Sequence, residues 1–362
     1  MSLTHGGDVE GYMLETGLEP LDFSSNANPI GMPKRAEKAI RHAAKRASAY
    51  PDPLCRRLRE SLAREQGLNP DHIICGNGAA DIIFRLAIAL RPKTALVLAP
   101  TFAEYNSSLD LVGTEVRYHL LKREEGFAVT SRLLDDLTPD LDVFYLCNPN
   151  NPTGLTCDPD LLDQVETRCR ENGTILAVDE CFMGFVDHGN RLTLRDRIPE
   201  DSNLLIVDAF TKLFGMAGIR LGYCLSSNAE LLEKISDSGQ PWPVSSIAQA
   251  AGIAALKKDH TYLQETRQLV ATERTWLYKR LKKLGFEVYP GEADYLFFYS
   301  DITDLAERMR GQGILIRDCS NYVGLEPGAY RVAVRQHEEN EALITAFKRV
   351  LKGDEPAEES GE

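Results

Sequence analysis

The stretch DAFTKLFGMAGIRLGY, Asp208 to Tyr223, keeps one lysine, Lys212, and one arginine, Arg220, among small and apolar neighbours. A solvated helix face would carry several charges, so the pair invites a chemical reading. A lysine relieved of bulk water has a lowered pKa and forms a Schiff base with an aldehyde, whereas most lysines only snorkel at the surface. Thr211 before it and the glycine-rich turn after it favour the chemical role. GNGAAD, Gly76 to Asp81, opens a helix, where unpaired backbone N–H groups bind phosphate; a plain glycine turn between strand and helix is the alternative. Asp179 closes a buried strand, where a carboxylate needs a cationic partner, an N-cap role or a salt bridge. NPNNPTG, Asn148 to Gly154, is the most specific short string, although a Pro/Gly/Asn turn also accounts for it.

All four features stand where strands end. HIIC runs into GNGAAD; TALVLAP, DVFYLCNP, TILAVDE, NLLIVDAF and RLGYCLS follow, with helical patterns such as DPDLLDQVETRCREN between them. Near-continuous apolar strands alternating with helices predict a parallel or mostly parallel sheet covered on both faces, with ligands at its carboxyl edge. From about Phe286 the pattern changes to FEVYPGEADYLFFYS, ILIRDCS and YRVAVR, which predicts a smaller α+β unit packed with the loop-rich segment before Tyr50. The expected organisation is an N-terminal arm and part of a small domain over 1–49, and a large domain over 50–284. A C-terminal small domain over 285–352 and a disordered acidic tail over 353–362 complete it.

Together these motifs resemble the aspartate-aminotransferase superfamily of enzymes that use pyridoxal 5′-phosphate (PLP), and the resemblance extends over almost the whole chain. It implies the α/β fold type I: a large domain with a mostly parallel seven-stranded sheet covered by helices, and a smaller α+β domain from both chain ends. It implies that Lys212 carries PLP and that Gly78, Ala79, Ala80, Thr211 and Arg220 hold the cofactor phosphate. Asp179 would face the pyridine nitrogen and keep the ring an electron sink. Asn151 would bond the phenolic oxygen, and Phe102 in PTFAEY would stack on the ring, with Tyr105 as second choice. Tyr50 in AYPDP matches a tyrosine that reaches the phosphate of the neighbouring subunit, so a homodimer with shared active sites is expected. Glu180 is expected to point away and to be structural. One departure stands out. Many relatives place a tyrosine three residues after the aspartate, and this chain has Phe182 there. That removes a hydrogen bond and argues against a close match to the general amino-acid transaminases.

The chain ends sharpen the resemblance. THGGD, LDFSSNANPIGMP, LTPDLD and ILIRDCSNYVGLEPGAYRVAVR look like the threonine-phosphate decarboxylases of cobalamin biosynthesis, with the histidinol-phosphate aminotransferases next in pattern. Decarboxylation of L-threonine O-3-phosphate to (R)-1-amino-2-propanol O-2-phosphate is therefore the expected reaction. Transamination of the histidinol-phosphate type with 2-oxoglutarate is the alternative. Arg331 matches the arginine that pairs with the substrate carboxylate. His5, Asn26, Arg317, Asn321 and Arg335 are candidates for the substrate phosphate, each singly open to a reading as a surface salt bridge or loop contact. Arg331 and Arg335 are four residues apart in YRVAVR, so both leave a strand on the same face.

Composition sets the outer bounds. The chain has 362 residues, 43% hydrophobic and 26% charged, as an ordinary soluble enzyme does. A net charge of −13 argues against nucleic acid as the main partner and leaves room for local cationic pockets. The longest apolar runs are strand-length, far short of a membrane span, and MSLTHGGDVE carries no apolar signal segment, so a cytoplasmic enzyme is expected. Eight cysteines without a CxxC pair predict neither a disulfide framework nor a zinc site, and no metal is expected. A catalytically silent PLP-binding sensor would carry an extra basic DNA-binding domain, for which the segment before Tyr50 leaves no room.

Overall fold

A computed structural model describes residues 6–257 and 260–353 of the chain. His5 and residues 354–362, nearly all of the expected acidic tail, lie outside the described residues. The apolar runs become strands: β1 (Leu21–Asp22), β2 (Ile73–Gly76), β3 (Thr94–Ala99), β4 (Glu115–Leu120), β5 (Val143–Cys147), β6 (Ile175–Asp179), β7 (Leu204–Ala209) and β8 (Gly222–Leu225). Five more follow: β9 (Glu287–Val288), β10 (Tyr295–Tyr299), β11 (Ile314–Leu315), β12 (Arg317–Asp318) and β13 (Ala329–Ala333).

Seven of them form one sheet in the order β2-β8-β7-β6-β5-β3-β4. β3 runs parallel to β4 and β5, β5 to β6, and β6 to β7, whereas β8 is antiparallel to both of its neighbours. The sheet is thus mostly parallel, as the apolar runs predict. Alternate residues of one strand feed different cores. Leu96 and Leu98 of β3 pack with Phe144 and Leu146 of β5 on one face, while Ala95 and Val97 pack with Val143 and Tyr145 on the other. The helix Pro159–Asn172 covers the first face with Leu162 and Val165, and the helix Gly78–Leu90 covers the second with Ile82 and Leu86. Each such side chain contributes about 1.5–3 kcal/mol through burial, which leaves no place in these strands for an idle charge. β4 escaped the sequence reading because it is the outer edge: Glu115 and Leu120 are exposed, and only His119 is buried. Charge at an edge blocks further strand addition.

The second sheet is antiparallel, in the order β12-β13-β10-β9. Leu277 and Leu281 of the helix His260–Lys283 and Leu343 and Phe347 of the helix His337–Lys352 pack on it against Phe298 and Val332. The start of the chain is stitched to this region. β1 pairs in parallel with β11, and the Phe23 carbonyl accepts from the Ala333 N–H at 2.8 Å. All eight cysteines are buried free thiols. Among the described residues no helix is long and apolar enough to cross a membrane.

Candidate active site

β2 is antiparallel to β8, which is antiparallel to β7, so the carboxyl ends of β2, β3, β5, β6 and β7 meet along one edge. A cavity of about 210 Å³ opens there, lined by Lys212, Asp179, Asn151, Phe102, Arg317 and Arg331 among others.

Lys212 lies on the link between β7 and β8. Its ammonium donates to the Asn26 carbonyl at 2.9 Å and stands 5.3 Å from the centre of the Phe182 ring. Burial lowers its pKa, opposed chiefly by the carboxylate of Asp294. A larger fraction of free amine, the nucleophilic form, is the consequence. Thr211 also faces the cavity. Arg220 has a left-handed backbone with φ 57, uncommon for a residue with a side chain. That turn brings its guanidinium over the start of the helix Gly78–Leu90: a Cβ on Gly78 would lie 2.6 Å from Nη2. A Cβ on Gly222 would meet the Gly78 backbone at 2.4 Å. Two glycines therefore let the arginine and β8 close on a helix N-terminus whose cap residue, Asn77, makes no side-chain cap bond. Ala79 and Ala80 line the cavity beside it. First-turn N–H groups and a guanidinium in one place suit a phosphate.

Asp179 ends β6 nearly buried. Its carboxylate accepts from the Tyr105 hydroxyl at 2.8 Å and from the Cys181 N–H at 3.0 Å. Burial raises its pKa and those two bonds pull it back, so a cation placed opposite would offset the remaining cost. Tyr105 is fully buried, edge-on to Phe102 at 5.6 Å and stacked on Tyr145 at 5.2 Å. Phe102 thus holds the position facing the cavity, and Tyr105 braces Asp179 from behind. Glu180 turns away into a buried pairing with Thr193 and Arg195.

The opposite wall is cationic. Arg331 donates to the Asn151 side-chain oxygen and, at 2.9 Å, to the Ser24 carbonyl. Arg317 donates to Asn321 at 2.8 Å and lies over Tyr322. The structure thus brings Asn26, Arg317 and Arg331 to one cavity, with the exposed Asn321 held against Arg317 outside the lining. It does not bring in Arg335, which lies past the end of β13 and is held by Glu339 and by the Asp22 carbonyl at 2.9 Å. The strand ends at Ala333, before Arg335, and a helix unseen in that short string supplies Arg335 with another partner. Tyr50 is also outside the cavity, 81% exposed and packed on Trp242 at 4.7 Å. Sequence reasoning missed Ser24, Ser25 and Tyr322 on the cavity wall; the signal for each was local, since Ser24 and Ser25 directly precede Asn26 and Tyr322 directly follows Asn321. A larger cavity of about 510 Å³ shares Cys181 and Ala209 with this one and contains none of the expected site residues.

PLP fits this set. A phosphate cradle, an amine, a carboxylate, an amide and an aromatic face line one cavity. Two buried polar atoms on its walls, Asn26 Oδ1 and Arg331 Nε, have no hydrogen-bond partner among the described residues. Such orphans mark capacity that a bound group would use.

The chain belongs to the aminotransferase class I and II family, whose pattern matches residues 19–347, and it is a PLP-dependent enzyme of fold type I. Within that family it is 36% identical to threonine-phosphate decarboxylase of Salmonella typhimurium over 360 residues, 98% of each chain. It is 32% identical to histidinol-phosphate aminotransferase 1 of Archaeoglobus fulgidus over 333 residues, 91% of this chain and 98% of the other. The crystal structure of the histidinol-phosphate aminotransferase from Clostridium acetobutylicum matches with a TM-score of 0.85 at 31% identity, covering 92% of this chain and 99% of that one.

Proposed function

We propose that the enzyme decarboxylates L-threonine O-3-phosphate to (R)-1-amino-2-propanol O-2-phosphate, a step of cobalamin biosynthesis. The observation that carries the reading is the cationic wall: two guanidiniums, Arg317 and Arg331, face one small cavity in a protein of net charge −13. A substrate with two anionic groups matches it, and the 36% identity to threonine-phosphate decarboxylase over 98% of the chain supports the choice.

When bound, PLP supplies an aldehyde for the substrate amine and a ring that accepts the electron pair of a bond broken at Cα. Thr211, Arg220 and the N–H groups of Gly78, Ala79 and Ala80 would anchor it by its phosphate. Asp179, braced by Tyr105, would keep the pyridine nitrogen protonated, and Asn151 would hold the phenolic oxygen. Arg331 and Arg317 orient the substrate through its anions. Anchoring by phosphate would leave the carboxylate free to be lost as CO₂, and Lys212 would be placed to return a proton to Cα. Each active site is completed by Tyr50 from a second copy, in a homodimer.

The test is incubation of the PLP-loaded protein with L-threonine phosphate, following CO₂ and the phosphorylated amine. Plain L-threonine leaves a buried cation unpaired and should react several orders of magnitude more slowly, up to about 10⁴–10⁵ in kcat/KM. Amino transfer from histidinol phosphate to 2-oxoglutarate, with no CO₂ from threonine phosphate, would assign the aminotransferase reaction instead.

A further inference from the structure

Asp294 has no place in the chemistry above. It immediately precedes β10, where its carbonyl accepts from the Val334 N–H at 2.7 Å. Its side chain is 0% exposed, and neither carboxylate oxygen has a hydrogen-bond partner among the described residues. Burying an unpartnered carboxylate is costly, so something must compensate. Three cations act on it: Lys212 from the β7–β8 link, Arg331 from β13, whose guanidinium stands 5.2 Å from the centre of the adjacent Tyr295 ring, and Arg274 from the helix His260–Lys283. Arg274 is fixed by the carbonyls of Glu292 and Ala293 at 2.7 and 3.0 Å. The other polar groups nearby are engaged elsewhere. The Tyr295 hydroxyl donates to the Asn150 carbonyl at 2.9 Å, and Glu292 accepts from Thr156 at 2.6 Å. Lys212 in turn feels Asp294 ahead of every other charge, before Arg331, Cys181 and Asp179. Burial nonetheless outweighs the cations and lifts the Asp294 carboxyl to about 6.

We propose that Asp294 is a positioning residue that balances charge in the substrate site: as a carboxylate it neutralises Lys212 and Arg331, and it takes up one proton from solvent when an anion settles on Arg331. The inference rests on the reading that Arg331 receives an anionic group of the substrate. The reason is mutual repulsion. Two anions sharing one cation in a dry site raise the pKa of the one that can be protonated. In the free enzyme Asp294 is ionised above about pH 6. Binding of an anion of fixed charge is then linked to protonation, and affinity falls about tenfold per pH unit through the neutral range. Below the titration of the free carboxyl the dependence flattens.

Calorimetric titration of the PLP-loaded enzyme with sulfate, a dianion throughout, in buffers of different ionisation enthalpy counts the protons taken up. Close to one is expected at neutral pH, and none in Asp294→Asn, whose sulfate affinity is flat with pH and about tenfold tighter than wild type one unit above the titration. Sulfate that binds wild type without proton uptake overturns the proposal, and that measurement stands even if Asp294→Asn does not fold. Uptake that persists in Asp294→Asn assigns the proton to Lys212 and overturns it as well. Sulfate affinity indifferent to Arg331→Gln would instead remove the placement of the anion on Arg331, and the inference with it.

Discussion

Lys212 owes its reactivity to its surroundings. Burial favours the neutral amine, Phe182 gives it an aromatic neighbour, and the Asn26 carbonyl fixes its direction. Borohydride reduction of the loaded protein should attach the cofactor mass to the peptide carrying Lys212. Lys212→Ala should lose that adduct and at least about 10³-fold of activity, because covalent catalysis and proton transfer go together. An adduct on another lysine would move the role there. Lys212, Asp179 and Asn151 were legible from sequence because each follows an apolar run in which a polar side chain has no structural use. Asp294 was not. In GEADYLFFY it looks like part of a turn, and its distinction arises only when a loop, a strand and a helix far apart in sequence aim cations at it.

Helix and strand meet most closely at the phosphate cradle. Gly222 opens β8 directly against Gly78, and no side chain fits between them. Gly222→Ala should push the helix start away from Arg220, costing about 1–3 kcal/mol in stability as overpacking does. Thermal unfolding reads the stability, and dialysis against free PLP reads the matching loss of cofactor affinity; unchanged cofactor retention would separate the cradle from the glycine contact. The order of elements along the large sheet was readable because its buried strands are apolar on both faces. β4 was not, since a half-exposed edge strand with Glu115, Arg117 and His119 lacks that signature. Arg335 shows the limit of register reasoning. Period two applies only within a strand, β13 ends at Ala333, and Glu339 in the following helix decides what Arg335 touches.

At the level of the whole molecule, Tyr50 and Trp242 form an exposed aromatic pair. If Tyr50 serves the site of a second copy, mixing Tyr50→Phe and Lys212→Ala chains creates hybrids with one intact site. Random pairing then restores about a quarter of wild-type activity from two weak parents, since half the dimers are hybrid. Activity that only averages the parents, or a fully active monomer by sedimentation, would keep Tyr50 within its own chain. The stitching of β1 to β11 and of Phe23 to Ala333 has a further bearing, on how the enzyme is made. Ser24 and Asn26 leave the ribosome early, yet the arginine that binds the Ser24 carbonyl emerges only when nearly the whole chain has been translated. The residues proposed to hold the cofactor all precede the end of β8, about a hundred residues sooner. Synthesis therefore imposes an order: the groups proposed for the cofactor are all translated well before the wall against which a substrate would be turned.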